Sequence, residues 1–196
     1  YKNMSDQDEA KFRMIEYHKW KFKAKIFSPL APLTVKRTPV LMTRVEYGFL
    51  GSYNKYKKSP FETFYMGGDG MSGYSSTYAT ETIGLRGYEN GSIAGNGGYN
   101  SYGYAYSRLS MELRYPFLLE PSSTIYGLVF VEAGNAWRDL KDFNPFQLKR
   151  SAGVGVRIFL PMIGLMGIDW AYGFDRPDGY DQRGGSNFHF IIGQEF

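Results

Sequence analysis

The 196-residue sequence contains no cysteine and only two histidines, His18 and His189. Disulfide scaffolds, thiolate metal sites and cysteine nucleophiles are therefore excluded, and metal chemistry is not expected. Long apolar runs are also missing, since no stretch approaches the roughly 18 apolar residues of a membrane-spanning helix. Aromatic residues and glycine are abundant instead, with 17 Tyr, 15 Phe, 3 Trp and 24 Gly. So much apolar surface argues against a disordered chain.

The charges do not indicate a nucleic-acid partner. Lys and Arg number 23 against 19 Asp and Glu, a formal net charge of +4, but they are spread along the chain rather than clustered. The glycine-rich segment 95–98 has no strand-to-helix context and does not predict a phosphate site. We therefore expect neither nucleic acid nor a bound cofactor.

Strict alternation of apolar and polar residues predicts seven β-strands. In one of them Leu109 and Met111 alternate with Arg108 and Ser110. The predicted strands are 12–27, 40–49, 107–115, 125–137, 151–160, 167–174 and 187–196. Most have about ten residues or more, the length that a tilted strand needs to cross a bilayer. An apolar outer face and a polar inner face are typical of a transmembrane β-barrel. A soluble β-sandwich with one wet face is the alternative.

The connectors differ in length, as they do in bacterial outer-membrane barrels, where long loops lie on one side and short turns on the other. The long or polar, glycine-rich connectors are 52–102, 138–146 and 175–186; the tight ones are 116–122 and 161–162; 28–39 is intermediate.

The predicted inner wall is charged and mainly basic. Its residues are Lys19, Lys21, Lys23, Lys25, Arg44, Arg108, Arg114 and Arg157 together with Glu46, Glu112, Glu132 and Asp169. A Lys or Arg that faced lipid in mid-membrane would cost roughly 2–4 kcal/mol, whereas an aqueous lumen accommodates it at little cost.

Seven is an odd number of strands, whereas single-chain bacterial barrels close with an even number, at least eight. An edge near Phe12 would expose unpaired backbone groups to lipid unless further strands met it. We therefore expect this sequence to be part of a larger barrel.

The connector 52–102 contains two motifs. One is Phe-Tyr-x-Gly-Gly at 64–68, and the other is Leu85-Arg86-Gly87-Tyr88. Gly87 permits positive φ and close backbone approach, while the planar guanidinium of Arg86 suits carboxylates. A connector of this length is usually functional or disordered.

With these motifs the sequence resembles the BamA-type outer-membrane protein assembly factors and their relatives, the bacterial surface antigen family. Residues 85–88 look like the family's Val-Arg-Gly-Phe/Tyr motif, and 64–68 like the element that precedes it. Segment 151–174 is similar to the penultimate strand pair, and 188–196 looks like the terminal strand, which ends on the aromatic Phe196. The resemblance covers essentially the whole chain.

The family has sixteen strands preceded by periplasmic POTRA modules. The resemblance therefore implies an all-β, antiparallel transmembrane β-barrel in the cell outer membrane. Residues 1–196 would be its C-terminal portion, the last seven strands, without the periplasmic modules.

The resemblance also implies that loop 52–102 folds back into the lumen, where Arg86 meets acids of the inner wall. The matching positions are Glu112 and Glu132, which the alternation independently turns inward. Asp169 also points inward, but the sequence does not identify its partner. The alternative is that Arg86 is a solvated loop arginine.

By resemblance, the chain folds and inserts nascent β-barrel proteins through a lateral gate, with 187–196 as the gate strand. Its singled-out residues are Phe188, Phe190, Ile192, Gly193 and Phe196. Gly193 either weakens a seam that must open or forms a bend. The implied partners are nascent outer-membrane β-barrel proteins, outer-membrane lipid, and accessory assembly lipoproteins that bind mainly the periplasmic modules.

Three other functions remain open. A transporter of the same family would export one dedicated secreted protein through the lumen, and a passive porin would also explain a charged interior. An outer-membrane protease or phospholipase would need a nucleophile, a histidine and an acid, but His18 and His189 lie within predicted strands without such partners. We expect no catalytic residue and no enzyme activity.

Overall fold

The computed structural model describes residues 15–32, 34–35, 37–53, 58–70, 81–93, 102–120, 122–162 and 164–193. These residues form one short 3-10 helix, Leu140–Asp142, and nine strands: β1 Tyr17–Pro29, β2 Val40–Ser52, β3 Phe64–Met66, β4 Glu81–Ile83, β5 Ala105–Glu120, β6 Ser123–Trp137, β7 Lys149–Leu160, β8 Gly164–Gly173 and β9 Gly185–Ile192. In the described ranges no helix is long and apolar enough to cross a membrane.

Seven strands form a single antiparallel sheet in the order β1-β2-β5-β6-β7-β8-β9. The seven predicted strands are thus confirmed in number and sequence order. Their faces are confirmed as well, since Arg44 and Glu112 are almost completely buried. On the opposite face Met111 is 45% exposed and Trp20 is 71% exposed. Charged side chains therefore gather on one face and apolar side chains cover the other.

Several predicted strand boundaries need correction. The turn predicted at 116–122 is wrong, because β5 continues to Glu120 and pairs with β6 up to Ser123. Pro116 lies inside β5, where the register shifts between Pro116 and Leu118. A bulge accommodates the missing N–H of a proline, so Pro116 bends the strand without ending it. β1 begins at Tyr17, so positions 15 and 16 of the predicted strand 12–27 are not part of it, and positions 12–14 lie outside the described residues.

The terminal strand is shifted relative to its predicted range of 187–196. β9 begins at Gly185 and ends at Ile192. Gly193 follows with φ of 72°, a left-handed conformation that ends the strand, and its N–H donates to the Leu165 carbonyl at 2.7 Å. Of the two interpretations of Gly193, the structure supports a bend. Phe196 lies outside the described residues.

The sheet is strongly curved. Lys21 of β1 and Ile191 of β9 line one cavity of about 150 Å³. These strands are the first and last of the sheet, so six interstrand spacings of about 4.8 Å separate them along its surface. A cavity so small touches both margins only because the sheet bends around it, as a barrel wall does.

The described parts of the connector between β2 and β5, residues 58–70 and 81–93, lie against the concave face of the sheet. Its strands β3 and β4 form a short parallel pair. The sequence analysis did not predict them, because three residues are too few to show an alternation. An apolar cluster fills the space between this connector and the sheet: Leu50, Phe64, Met66, Ile83, Leu85, Tyr88, Ile93, Tyr106 and Ala136. The inner face therefore includes an apolar core beside the charged, mainly basic surface that alternation predicted.

Candidate functional site

The segment after β4 brings the Leu85-Arg86-Gly87-Tyr88 motif onto the inner face of the sheet. The Leu85 N–H donates to the Gly68 carbonyl at 3.1 Å, and the Gly67 N–H donates to the Ile83 carbonyl at 3.0 Å. Leu85 itself is completely buried in the apolar cluster. The two sequence motifs are therefore hydrogen-bonded neighbours, and the glycine pair holds the second motif in position.

Arg86 is completely buried and contacts three carboxylates. Its Nη2 lies 2.5 Å from Glu112 Oε1 and 2.7 Å from Glu132 Oε1. Its Nη1 lies 2.9 Å from Asp169 Oδ2. The first two contacts are those that the family resemblance implies. The third gives Asp169 the partner that the sequence did not identify.

Two further contacts fix the orientation of Arg86. Its backbone N–H donates to Glu132 Oε2 at 2.9 Å, so Glu132 binds both the side chain and the main chain of one residue. The guanidinium carbon lies 3.5 Å from the centroid of the Phe130 ring. Charge-assisted hydrogen bonds and a cation–π contact together specify arginine, because lysine lacks both the fork and the planar face.

Three wall arginines share the same carboxylates. Arg108 Nη2 donates to Glu132 at 2.8 Å, and Arg114 Nη2 donates to Glu112 at 2.7 Å. Arg157 binds both oxygens of Asp169, at 2.5 and 2.7 Å. Each buried carboxylate thus meets two arginines, which offsets the cost of removing the charges from water.

The carboxylates also fix the charge of Arg86. Burial alone would lower the pKa of Arg86, but Glu132, Glu112 and Asp169 outweigh that effect and raise it above its ordinary value. The guanidinium therefore stays protonated at every physiological pH. It can hold carboxylates, but it cannot donate or accept a proton in a reaction.

Gly87 passes close to three strands. Its φ is +88°, and a Cβ there would lie 2.9 Å from the backbone nitrogen of Gly173 and 2.9 Å from Ser151 Cβ. Its N–H donates to His189 Nε2 at 2.9 Å. Both the conformation and the space therefore require glycine.

Tyr88 extends the same site to β7 and to the segment after β8. Its hydroxyl donates to the Arg150 carbonyl at 2.7 Å and accepts the Asp175 N–H at 3.3 Å. Burial raises the pKa of Tyr88 to about 12, so the hydroxyl keeps its proton and remains a donor. Arg86, Gly87 and Tyr88 thus reach β5, β6, β7, β8 and β9.

His189 is a site residue that the sequence analysis missed. It was considered only as a catalytic histidine, whereas the structure shows a buried imidazole that accepts a backbone hydrogen bond. The alternation of the terminal strand contained a signal, since outward Phe188 and Phe190 require an inward His189. Alternation gives no such signal for the loop that supplies the Gly87 N–H, so the partner of His189 could not be predicted.

The connector is also attached to the first strand of the sheet. Lys19 Nζ lies 2.7 Å from Glu62 Oε2 and 2.8 Å from Glu81 Oε2. Lys21 pairs with the other oxygen of Glu81. Burial would raise the pKa of Glu81, but the hydrogen bonds from Lys19 and Lys21 hold it below its usual value.

Three outward side chains of β9 are apolar and exposed: Phe188 at 67%, Phe190 at 56% and Ile192 at 67%. Among the described residues, no group of three or more His, Asp or Glu side chains is arranged to hold a metal ion.

The sequence matches a family model, and the fold matches a solved structure. A family model described as the Omp85 superfamily domain matches residues 11–196. The fold is similar to the crystal structure of BamA from Haemophilus ducreyi lacking POTRA domains 1-3, with a TM-score of 0.60 and 21% identity. That match covers 90% of this chain and 35% of the other, so this chain spans about a third of its length. No curated protein matches significantly.

These comparisons confirm the resemblance carried by the motifs at 64–68 and 85–88, and the predicted β-barrel fold. The chain belongs to the Omp85 superfamily of outer-membrane β-barrel proteins, and its seven-stranded sheet has the fold of a BamA-type barrel wall.

Proposed function

We propose that this chain helps to fold and insert nascent β-barrel proteins in the outer membrane, with β9 as the gate strand. The observation that carries the proposal is the position of β9 at the margin of the sheet. It pairs with β8 along one edge, from Gly185 opposite Gly173 to Ile192 opposite Met166. Its other edge pairs with no strand of the described residues and offers backbone N–H and C=O groups to a further strand.

The physical reason for a template is the cost of unpaired backbone in lipid. A strand that enters the hydrocarbon region with free N–H and C=O groups loses several kcal/mol for each of them. Pairing with an existing edge removes that cost as the strand enters, by β-augmentation. The exposed apolar side chains of β9, Phe188, Phe190 and Ile192, suit a strand whose outer face meets lipid, where this cost applies.

The buried site around Arg86 supports a structural role for the loop rather than a catalytic one. Arg86 is permanently charged, and His189 Nε2 already accepts the Gly87 N–H. No covalent step is required for strand templating, so the proposal assigns no catalytic residue. Accessory lipoproteins would act mainly through the periplasmic modules of the family.

The test uses the full-length protein in cells, with a photo-crosslinker at Phe190 in one variant and at Ile191 in another. Phe190 faces outward and is 56% exposed, whereas Ile191 faces inward and is 2% exposed. Templating at the edge predicts that Phe190 captures many different nascent barrel proteins. Val156 of β7 lies in the same row of the sheet, because both Phe190 and Val156 pair with Ile168, and it is 46% exposed; it is a matched control that should capture few.

The alternatives give other patterns. Export of one dedicated protein through the lumen predicts capture of a single secreted chain, mainly from Ile191. A closed porin predicts capture of no nascent chain from either position in a protein that still reaches the membrane. Either pattern would overturn the templating proposal.

A further inference from the structure

Two residues that pair across β8 and β9 bind consecutive residues of the loop motif. Asp169 and His189 are register partners in the sheet, and both face inward. Asp169 binds the side chain of Arg86 at 2.9 Å, and His189 binds the main-chain N–H of Gly87 at 2.9 Å. The motif is therefore attached separately to each of the last two strands.

The bond to β9 has a defined chemistry. A backbone N–H only donates, so His189 Nε2 must carry a lone pair, and the imidazole must be neutral with its proton on Nδ1. His189 is 7% exposed, so little water reaches the imidazole to compete as a donor. A side chain at this position therefore needs an acceptor about as far from the backbone as an imidazole Nε2.

The bond to β9 also differs from the ion pairs that the motif makes. The three ion pairs of Arg86 reach β5, β6 and β8, whereas neutral hydrogen bonds from Tyr88 and Gly87 reach β7 and β9. A neutral hydrogen bond is weaker than a charge-assisted one. The strand at the margin is thus held to the motif more weakly than β8, the strand with which it pairs.

We propose that His189 is a positioning residue that couples β9 to the loop motif, so that the marginal strand and the main chain of the motif stabilise each other while their hydrogen bond is made. The proposal deepens the proposed function and rests on it for its biological meaning. A strand that must separate from a neighbour during templating is held to the loop by one bond that opens at small cost. The ion pairs meanwhile keep the motif on β5, β6 and β8.

Amide hydrogen exchange of the full-length protein in a bilayer tests this coupling. His189→Leu removes the acceptor and keeps an apolar side chain in the buried site. Loss of one neutral hydrogen bond is expected to speed exchange about fivefold to tenfold, both in the peptide that contains 85–88 and in the peptide that contains 185–192. The peptide that contains 123–137 should not change, which shows that the barrel remains folded.

Two further variants separate coupling from packing. His189→Gln supplies a carbonyl acceptor at similar reach and should return exchange in 85–88 to within about twofold of the unaltered protein. Ser186→Ala removes the Trp170 Nε1 to Ser186 Oγ bond of 2.8 Å, which joins β8 and β9 on the outer face. It should speed exchange in 185–192 alone.

Unchanged exchange in 85–88 with His189→Leu would overturn the coupling, and so would His189→Gln behaving like His189→Leu. The proposed function is measured separately, by capture of nascent chains from Phe190 in the protein with native His189. If His189→Leu speeds exchange in both peptides but the crosslinker at Phe190 captures no nascent chain, the coupling is supported and the templating role is wrong.

Discussion

Arg86 and Asp169 are 83 positions apart in the sequence, and their side chains meet through an Nη1 to Oδ2 contact of 2.9 Å. Asp169 also binds Arg157 of the neighbouring strand through both oxygens. The carboxylate thus joins a loop residue to a wall residue. The anchoring of the loop and the charge balance of the wall depend on the same group.

Replacing Arg86 with lysine should destabilise the barrel although the charge is kept. An ammonium group cannot contact Glu112, Glu132 and Asp169 with the geometry of the fork, and it loses the flat contact with Phe130. We expect Arg86→Lys to lower the free energy of unfolding by about 3–5 kcal/mol, the usual cost of breaking a buried pair. Urea unfolding of the full-length protein in detergent measures it.

The matched control for this variant is Arg150→Lys. Arg150 pairs with Asp175 at 2.9 Å, but its side chain is 69% exposed. We expect no measurable change in the free energy of unfolding, because an exposed pair is screened by solvent. Equal effects of the two substitutions would contradict the anchoring role of Arg86.

Gly87→Ala should cost more than positive φ alone explains. The added Cβ would lie 2.9 Å from the main chain of Gly173, which cannot move away as a flexible side chain can. Gly164 provides the control, because its φ is +94° and nothing lies within 4 Å of an added Cβ. We expect roughly 1 kcal/mol for Gly164→Ala from backbone strain, and at least about 2 kcal/mol more for Gly87→Ala. Thermal unfolding of the two variants would refute the close approach if their losses were equal.

Tyr88→Phe should weaken the contact with β7 and the segment after β8. The variant leaves the Arg150 carbonyl and the Asp175 N–H without the tyrosine hydroxyl. We expect a loss of about 1–2 kcal/mol in urea unfolding. Tyr172→Phe, on the outer face and 37% exposed, should change stability by less than about 0.5 kcal/mol. A similar loss in both would show that the hydroxyl of Tyr88 is not specifically used.

Acid should detach the loop from the first strand. The pKa of Glu81 is held below 4.5, the ordinary value, so its bonds to Lys19 and Lys21 contribute fully above that pH. Their contribution is lost as the pH falls through the lower, folded-state pKa. The difference in unfolding free energy between the native protein and Glu81→Gln should be about 1 kcal/mol at pH 6 and decline as the pH falls below 4.5. A difference that is constant with pH would contradict this role.

The sequence predicted the features that follow from the alternation of strand residues. It left open the features that depend on the loop and on the curvature of the sheet. Alternation turned Glu112, Glu132 and Asp169 inward, and the family resemblance connected Arg86 to the first two. The third contact depends on how far the sheet curves, which alternation does not report. The turn at 116–122 was misplaced because Pro116 is usually a strand breaker, and only the pairing partner reveals that a bulge absorbs it.

The connector between β2 and β5 touches both margins of the sheet. Glu81 contacts Lys19 and Lys21 of β1, and six positions later Gly87 contacts His189 of β9. The distance between β1 and β9 is therefore limited by the few loop residues from Glu81 to Gly87. Lengthening this short stretch would let the wall flatten, and shortening it would tighten the curvature.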